Sequence, residues 1–184
     1  AHTCGTEFYA MKMFVRSRLM WDVKLNEQKL TEEFIDAYYG AAAPYMREYL
    51  GVLKKHYAFL KENAAYTATI YVPLMQAVYW PIKDIQKAFK AVKNSETGER
   101  RALIEKRLRC ESLFYRLIMF DAYKHRFTLK QQTENVDSFE RDARESGFIA
   151  YANGWKFGQG KLETLILNHR KRLQLMKHAE EFSA

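Results

Sequence analysis

Apolar residues recur along this chain at spacings of three and four, and the repeat stops and restarts often enough to mark out separate amphipathic helices. In residues 27–39, Leu30, Phe34, Ala37 and Tyr38 fall on one stripe, while Glu32, Glu33 and Asp36 lie off it toward water. Asn26 precedes the stripe as an N-cap, because its short side-chain oxygen can accept from a first-turn N–H, and Glu27 complements the positive end of the helix dipole. Gly40 ends this helix and Pro44 opens the next, so Gly40 to Pro44 reads as a tight reversal between two helices that run back along each other. Residues 45–65 then carry the stripe Met46, Tyr49, Leu50, Leu53, Tyr57 and Leu60, with Lys54, Lys55, Lys61 and Glu62 mostly outside it.

The remainder follows the same logic. The TATIYVPL run at 67–74 has β-branched content, but Pro73 would break a central strand, so it reads as an irregular helix or an extended link. Pro81 opens a helix whose stripe is Ile82, Ile85, Phe89 and Val92. Asn94 to Gly98 is a loop in which Ser95 or Thr97 caps a very long helix reaching about Arg126. Its apolar positions are Leu103, Ile104, Leu108, Leu113, Phe114, Leu117, Ile118 and Phe120. A polar break, TLKQQTENVD at 128–137, precedes a short helix over 137–146 that Gly147 ends. The glycine-rich ANGWKFGQG stretch reads as a loop before a last helix with the seam Leu162, Leu165, Ile166, His169, Leu173 and Met176. The expected fold is all-α: an antiparallel helical bundle of about six or seven helices with no substantial sheet.

Residues 7–21 differ from the others. Phe8, Met11, Phe14, Val15 and Leu19 share one side, but Tyr9, Met13, Met20 and Trp21 spread apolar surface nearly all round and leave Lys12 and Arg16 as a narrow polar edge. Such a helix needs burial on more than one face. On its residues alone it is a central helix of the bundle; that one side faces protein outside this chain, leaving an apolar patch bare in isolation, is what the family resemblance of the neighbouring residues implies. The expected organisation is therefore an N-terminal loop and linking helix over 1–21 and a helical bundle over 22–184.

The residues around the reversal carry a family resemblance. Leu19, Met20, Trp21 and Asp22, followed by Phe34, Tyr38, Tyr39, Gly40, Ala42 and Ala43, match an apolar helix ending in Leu-Trp-Asp or Leu-Leu-Trp and then a Phe-x-x-x-Tyr-Tyr-Gly-x-Ala-Ala motif. This resembles the C-terminal helical region of bacterial proteins with domain of unknown function 4838, relatives of glycoside hydrolases. Trp21, Asp22, Phe34, Tyr38, Tyr39, Gly40 and Pro44 are its structural motif here. The resemblance implies a piece of a larger carbohydrate-active protein whose barrel precedes residue 1, so that barrel, and carbohydrate through it, are the implied partners. The opening Ala-His in place of Met fits such a piece, and subunit contact is a further implied role. If residues 7–21 are the last barrel helix, His2, Thr3 and Cys4 lie in a strand-to-helix loop bordering the sugar site. Cytoplasmic and exported locations are equally compatible with this reading.

Composition narrows the chemistry. With 184 residues, three prolines and eight glycines, one sizeable core can form without metal or disulfides. Two cysteines, Cys4 and Cys110, make no framework, and Cys110 reads as a small buried residue on an apolar face. No stretch is long and apolar enough to span a bilayer. Glycoside hydrolysis needs two facing carboxyl groups, and no such pair is legible. Glu32, Glu33 and Asp36, and likewise Glu140, Asp142 and Glu145, read as solvated charges. Asp121 lies in an apolar run but has Arg109, Arg116, Lys124 and His125 within local reach, which favours a structural ion pair. The histidines His2, His56, His125, His169 and His178 are dispersed without metal-ligand spacing. No catalytic residue, metal or cofactor is assigned.

A net charge of +8 supplies the alternative function, a free-standing basic helical module for polyanions or a protein partner. Its basic residues bunch at Arg100-Arg101, Lys106-Arg107-Arg109, Lys124-His125-Arg126 and His169-Arg170-Lys171-Arg172. Glu99, Glu105, Glu111 and Glu163 are interspersed, and no nucleic-acid recognition motif is present, so these stripes read as solvated helical faces rather than a nucleic-acid surface. Trp155 and Phe157, in the glycine-rich loop, are the contact-surface candidates. The favoured reading is a helical accessory domain that supports a catalytic barrel or subunit contacts.

Overall fold

The computed structural model describes residues 8–63, 82–122, 127–147 and 162–183. They form α1 (Tyr9–Trp21), α2 (Glu27–Tyr39), a 3-10 turn (Gly40–Ala42), α3 (Ala43–Asn63), α4 (Ile82–Ser95), α5 (Gly98–Ala122), α6 (Leu129–Glu145) and α7 (Leu162–Ser183). No strand occurs among the described residues, and the all-α bundle expected from the periodicity is the fold. The strand-like run at 67–74 and the glycine-rich loop at 152–160 lie outside the described residues.

Two compact units divide the chain, one spanning Phe8–Ser112 and the other including Leu113–Ala184. In the first, α1 packs on α2, α2 on α3, and α3 on α4. Phe8, Tyr39, Met46, Tyr49, Ile85, Val92, Ile104 and Leu108 make its core. The rings of Phe8 and Tyr39 meet edge to face at 6.2 Å, and Phe8 and Tyr49 lie 5.3 Å apart. In the second, α6 packs on α7 through Val136, Phe139 and Ala143 against the seam Leu162, Leu165, Ile166, His169 and Leu173, all buried, with Met176 half-buried at its end.

The reversal after α2 forms as its residues dictate. The Asn26 side chain accepts the Lys29 N–H at 2.9 Å, and Gly40 adopts φ +50°, a conformation that costs an L-residue roughly 1–2 kcal/mol. The turn packs against α4. Just beyond α4, Glu96 accepts the Ala41 N–H at 3.1 Å and the Arg100 guanidinium at 2.9 Å. The 94–98 connection is thus more than a spacer, because its one acidic side chain satisfies a backbone donor of the turn.

Two expectations change and a third narrows to one of its alternatives. The buried face of α2 is centred on Leu30, Ile35 and Tyr39, while Phe34 and Tyr38 flank it and Ala37 is exposed, because the apolar arc of this helix is wider than one stripe. The polar break at 128–137 is helix: Thr128 accepts from the Gln131 N–H while the Gln131 side chain accepts from the Thr128 N–H, a reciprocal capping box that starts α6 well before residue 137. Its polar residues face outward, with Gln132 and Val136 turned inward. The long helix starts at Gly98, which leaves Thr97 and not Ser95 immediately before it. Gly147, at φ +69°, follows α6 as expected.

Gly40→Ala should be among the most damaging single-methyl changes, since a Cβ there would lie 2.6 Å from Glu96 Oε1 and 2.9 Å from Ile104 Cδ1 on top of the positive φ. A loss of about 2–4 kcal/mol in urea unfolding is expected; a loss below about 1 kcal/mol would contradict this packing. Thr128→Ala should cost about 1 kcal/mol through its cap alone.

Candidate functional site

α1, α2 and α5 bring three features together in the first unit. The first is a buried carboxyl. Ile104, Leu108 and Glu111 share the inward face of α5, so Glu111 lies where an apolar residue would ordinarily stand. Its Oε2 accepts the Phe8 N–H at 2.6 Å and its Oε1 accepts the Tyr39 hydroxyl at 2.8 Å. Phe8 precedes α1 with φ +53° and no side-chain cap, so Glu111 supplies the acceptor that the start of α1 lacks. Burial pushes the Glu111 carboxyl above its usual range, opposed by its two hydrogen bonds and the charge of Lys12. Burial and the neighbouring Glu111 charge hold the Tyr39 hydroxyl well above its usual value, so it remains a donor. The expectation that Glu111 belongs to a solvated basic stripe is corrected here. The signal was its three-four spacing from Ile104 and Leu108.

The second feature is an aromatic ladder on the flank of α2. Phe14 lies 5.4 Å from Phe34, Phe34 stacks on Tyr38 at 4.7 Å, and the Arg107 guanidinium sits 3.8 Å over the Tyr38 ring. Arg107 also donates to the Tyr38 carbonyl at 2.7 Å, satisfying one of the last carbonyls of α2. With Glu33 and Ala37 these residues line an open cleft of about 260 Å³. The guanidinium covers the tyrosine face that a ligand ring would need, so the ladder is a clamp between α5 and α2.

The third feature is bare apolar surface at the end of α1. Trp21 is 91 % exposed, Met20 86 % and Val23 83 %. Asp22 fixes the turn that presents them, its Oδ1 accepting the Lys24 N–H at 2.9 Å. The motif residues therefore split: Phe34, Tyr38, Tyr39 and Gly40 interlock around Glu111, Arg107 and Glu96, Pro44 lies exposed in the first turn of α3, and Trp21 and Asp22 face water.

Other candidates resolve differently. His2, Thr3, Cys4, Trp155 and Phe157 lie outside the described residues, as do the side chains of Asp121, His56 and His125. Cys110 is half-buried, not buried. Asp142, read as solvated, is buried and accepts from Arg116 at 2.7 Å, while Arg116 also donates to Ser138. The signal was again spacing, three residues on from the buried Phe139. Glu140 is held below the usual carboxylate range by hydrogen bonds from Arg170 and Arg144. Among the described residues, no cluster of three His, Cys, Asp or Glu side chains is placed to hold a metal ion. No described helix is long and apolar enough to cross a membrane.

With α1, α2 and the turn in view, the family comparison reads directly onto them. Residues 1–51 match the model of the DUF4838 family, a domain of unknown function. The matched stretch contains α1, the Trp21-Asp22 turn, α2, the 3-10 turn and the opening of α3. Neither the curated proteins nor the solved structures hold a match to this chain. Both oxygens of the Glu111 carboxyl are already engaged, which makes it an anchor for the two helices of the matched stretch.

Because burial raises the Glu111 carboxyl in the folded chain, its stabilisation is full below the usual glutamate value and declines as pH rises through the raised one. Glu111→Gln should therefore fold at neutral pH and lose part of the wild-type pH slope, since the amide can still accept from Phe8 and bond the Tyr39 hydroxyl. Glu111→Leu strands both donors and should cost about 2–5 kcal/mol. Urea unfolding from pH 4 to 8 separates the variants (pH range set roughly by the carboxylate window); equal pH slopes in wild type and Gln variant would contradict the anchor.

Proposed function

We propose that this chain is a helical accessory segment of a larger glycoside-hydrolase-like, carbohydrate-active protein, with the end of α1 as its docking point for the catalytic barrel. The observation that carries the reading is the bare Met20, Trp21 and Val23 surface, which lies inside the stretch matched by the DUF4838 model. Large exposed aromatic and aliphatic side chains on a fixed turn are the composition of an interface centre, where tryptophan contributes disproportionately. In this reading His2, Thr3 and Cys4 border the sugar site, Trp155 and Phe157 extend the contact surface, and chemistry belongs to the barrel.

The polyanion-binding alternative draws less support. It calls for free cations and no bare apolar flank on the first helix. Arg100 pairs with Glu96, Arg101 with Glu105, Arg107 clamps Tyr38, and Arg170 is shared by Asp137 and Glu140.

The test begins with the reading frame upstream of Ala1, expected to encode a barrel of alternating strands and helices. In that longer polypeptide, Met20→Ser with Trp21→Ser should loosen the barrel from the helices, increasing protease cleavage between them at least about tenfold for a lost hot spot. An upstream frame without a barrel, or cleavage unchanged by the double variant, would sink the reading. Heparin binding that falls steeply with salt would favour the alternative.

A further inference from the structure

A cleft of about 530 Å³ opens between α2 and α3, apart from the aromatic ladder and the bare end of α1. Its lining runs from Ile35 and Arg47, nearest the reversal, out to Asn26 and Lys54; at 1.5 Å per residue that stretch of α2 is roughly 13 Å long. Arg47 is ion-paired with Asp36, which ties the two helices at the reversal end. Ile35 is buried, and Leu50 and Gly51 of the opposite helix are half-buried. Gly51 stands in the interior of α3, where alanine would favour the helix. A Cβ there would meet no described atom within 4 Å. Its smallness thus serves no neighbour among the described residues, and its effect is to leave α3 backbone bare in the cleft wall.

The lining selects the ligand. Glu27 and Glu32 on α2 stand against Arg47 and Lys54 on α3. Asp36 already neutralises Arg47, and Glu27 complements the positive end of α2. Glu32 and Lys54 remain, one of each sign, so the cleft has little net charge with which to select an anion or a cation. What it offers is hydrogen bonding over an aliphatic floor. Gln28 Nε2 donates to Glu32 Oε1 at 3.1 Å, which leaves the Gln28 carbonyl and the second Glu32 oxygen as acceptors on one helical turn. Asn26 uses its Oδ1 on the Lys29 N–H, and its amide nitrogen, a double donor, has no partner among the described residues. Planar amides and carboxylates can bond pairs of adjacent hydroxyls, while Ile35 and Leu50 suit the C–H face of the same ligand.

We propose that this cleft binds a neutral, hydroxyl-rich ligand, a short stretch of uncharged saccharide, with Gln28, Glu32 and Lys54 bonding its hydroxyls and Ile35 and Leu50 beneath its C–H face. The choice of saccharide among neutral polyols rests on the carbohydrate-active reading above. The cleft holds the sugar chain and leaves its cleavage to the barrel. No aromatic platform lines it among the described residues, so binding is weak, in the millimolar range.

Amide NMR titration of the 184-residue chain with maltotriose, cellotriose and xylotriose, each to about 20 mM, tests it. At least one should shift the Thr31, Leu50 and Gly51 amides along a saturating curve that salt leaves unchanged. Glu32→Ala, at an exposed position, and Gly51→Leu, which fills the cleft, should each weaken that binding by at least about tenfold while keeping the wild-type helical circular dichroism. Gly51→Ala, whose Cβ is unobstructed, should resist urea better than wild type. No shift of these amides with any of the three sugars, binding undiminished by Glu32→Ala, or tighter, salt-sensitive binding of trigalacturonate would each overturn the proposal. An upstream frame without a barrel sinks the docking reading and leaves this titration as it stands, whereas a silent titration leaves docking intact.

Discussion

The first unit depends on one buried carboxyl. Glu111 reaches across from α5 to the Phe8 N–H that begins α1 and to the hydroxyl of Tyr39 that ends α2. A helix start has backbone donors without intrahelical partners, and at Phe8 no side-chain cap satisfies them. A buried carboxyl is costly by itself. Two hydrogen bonds and the charge of Lys12 offset that cost, and the geometry they require fixes the ends of two helices relative to a third. Phe8 and Tyr39 then meet ring to ring with Tyr49 behind them, so apolar packing and the polar node specify one arrangement together.

The same device recurs at the reversal. Glu96 accepts the Ala41 N–H and an arginine, and Arg107 donates to the Tyr38 carbonyl in the last turn of α2 while covering the Tyr38 ring. In the second unit Arg116 ties α5 to α6 through Asp142 and Ser138. Glu111, Glu96, Arg107 and Arg116 thus serve as acceptors and donors for helix ends and as ties between helices. Exposed pairs of this kind contribute little stability singly; their consequence is that several of the arginines are paired locally. The bare apolar surface of Met20, Trp21 and Val23 at the end of α1 lies outside these ties.

Periodicity and punctuation determined much of this chain without any tertiary information: helices in place of strands, the Asn26 cap, the Gly40 reversal, Met46 and Tyr49 at the head of the α3 stripe, whose Tyr57 and Leu60 side chains lie outside the described residues, the seam of α7 and the stop at Gly147. These are properties of contiguous residues, set by backbone conformation and by the need to bury one face. Even the capping box of α6 was local, and it was obscured by the polar run that surrounds it. What only the tertiary structure decided was the fate of groups whose partner lies far along the chain. Glu111 and Asp142 have the composition of solvated charges, and their three-four spacing from buried residues gains meaning only once Phe8, Tyr39 and Arg116 arrive opposite them. Trp21 has the composition of a core residue, yet no neighbour covers it among the described helices. Burial is a property of three-dimensional neighbours, whereas helix formation is largely a property of sequence neighbours.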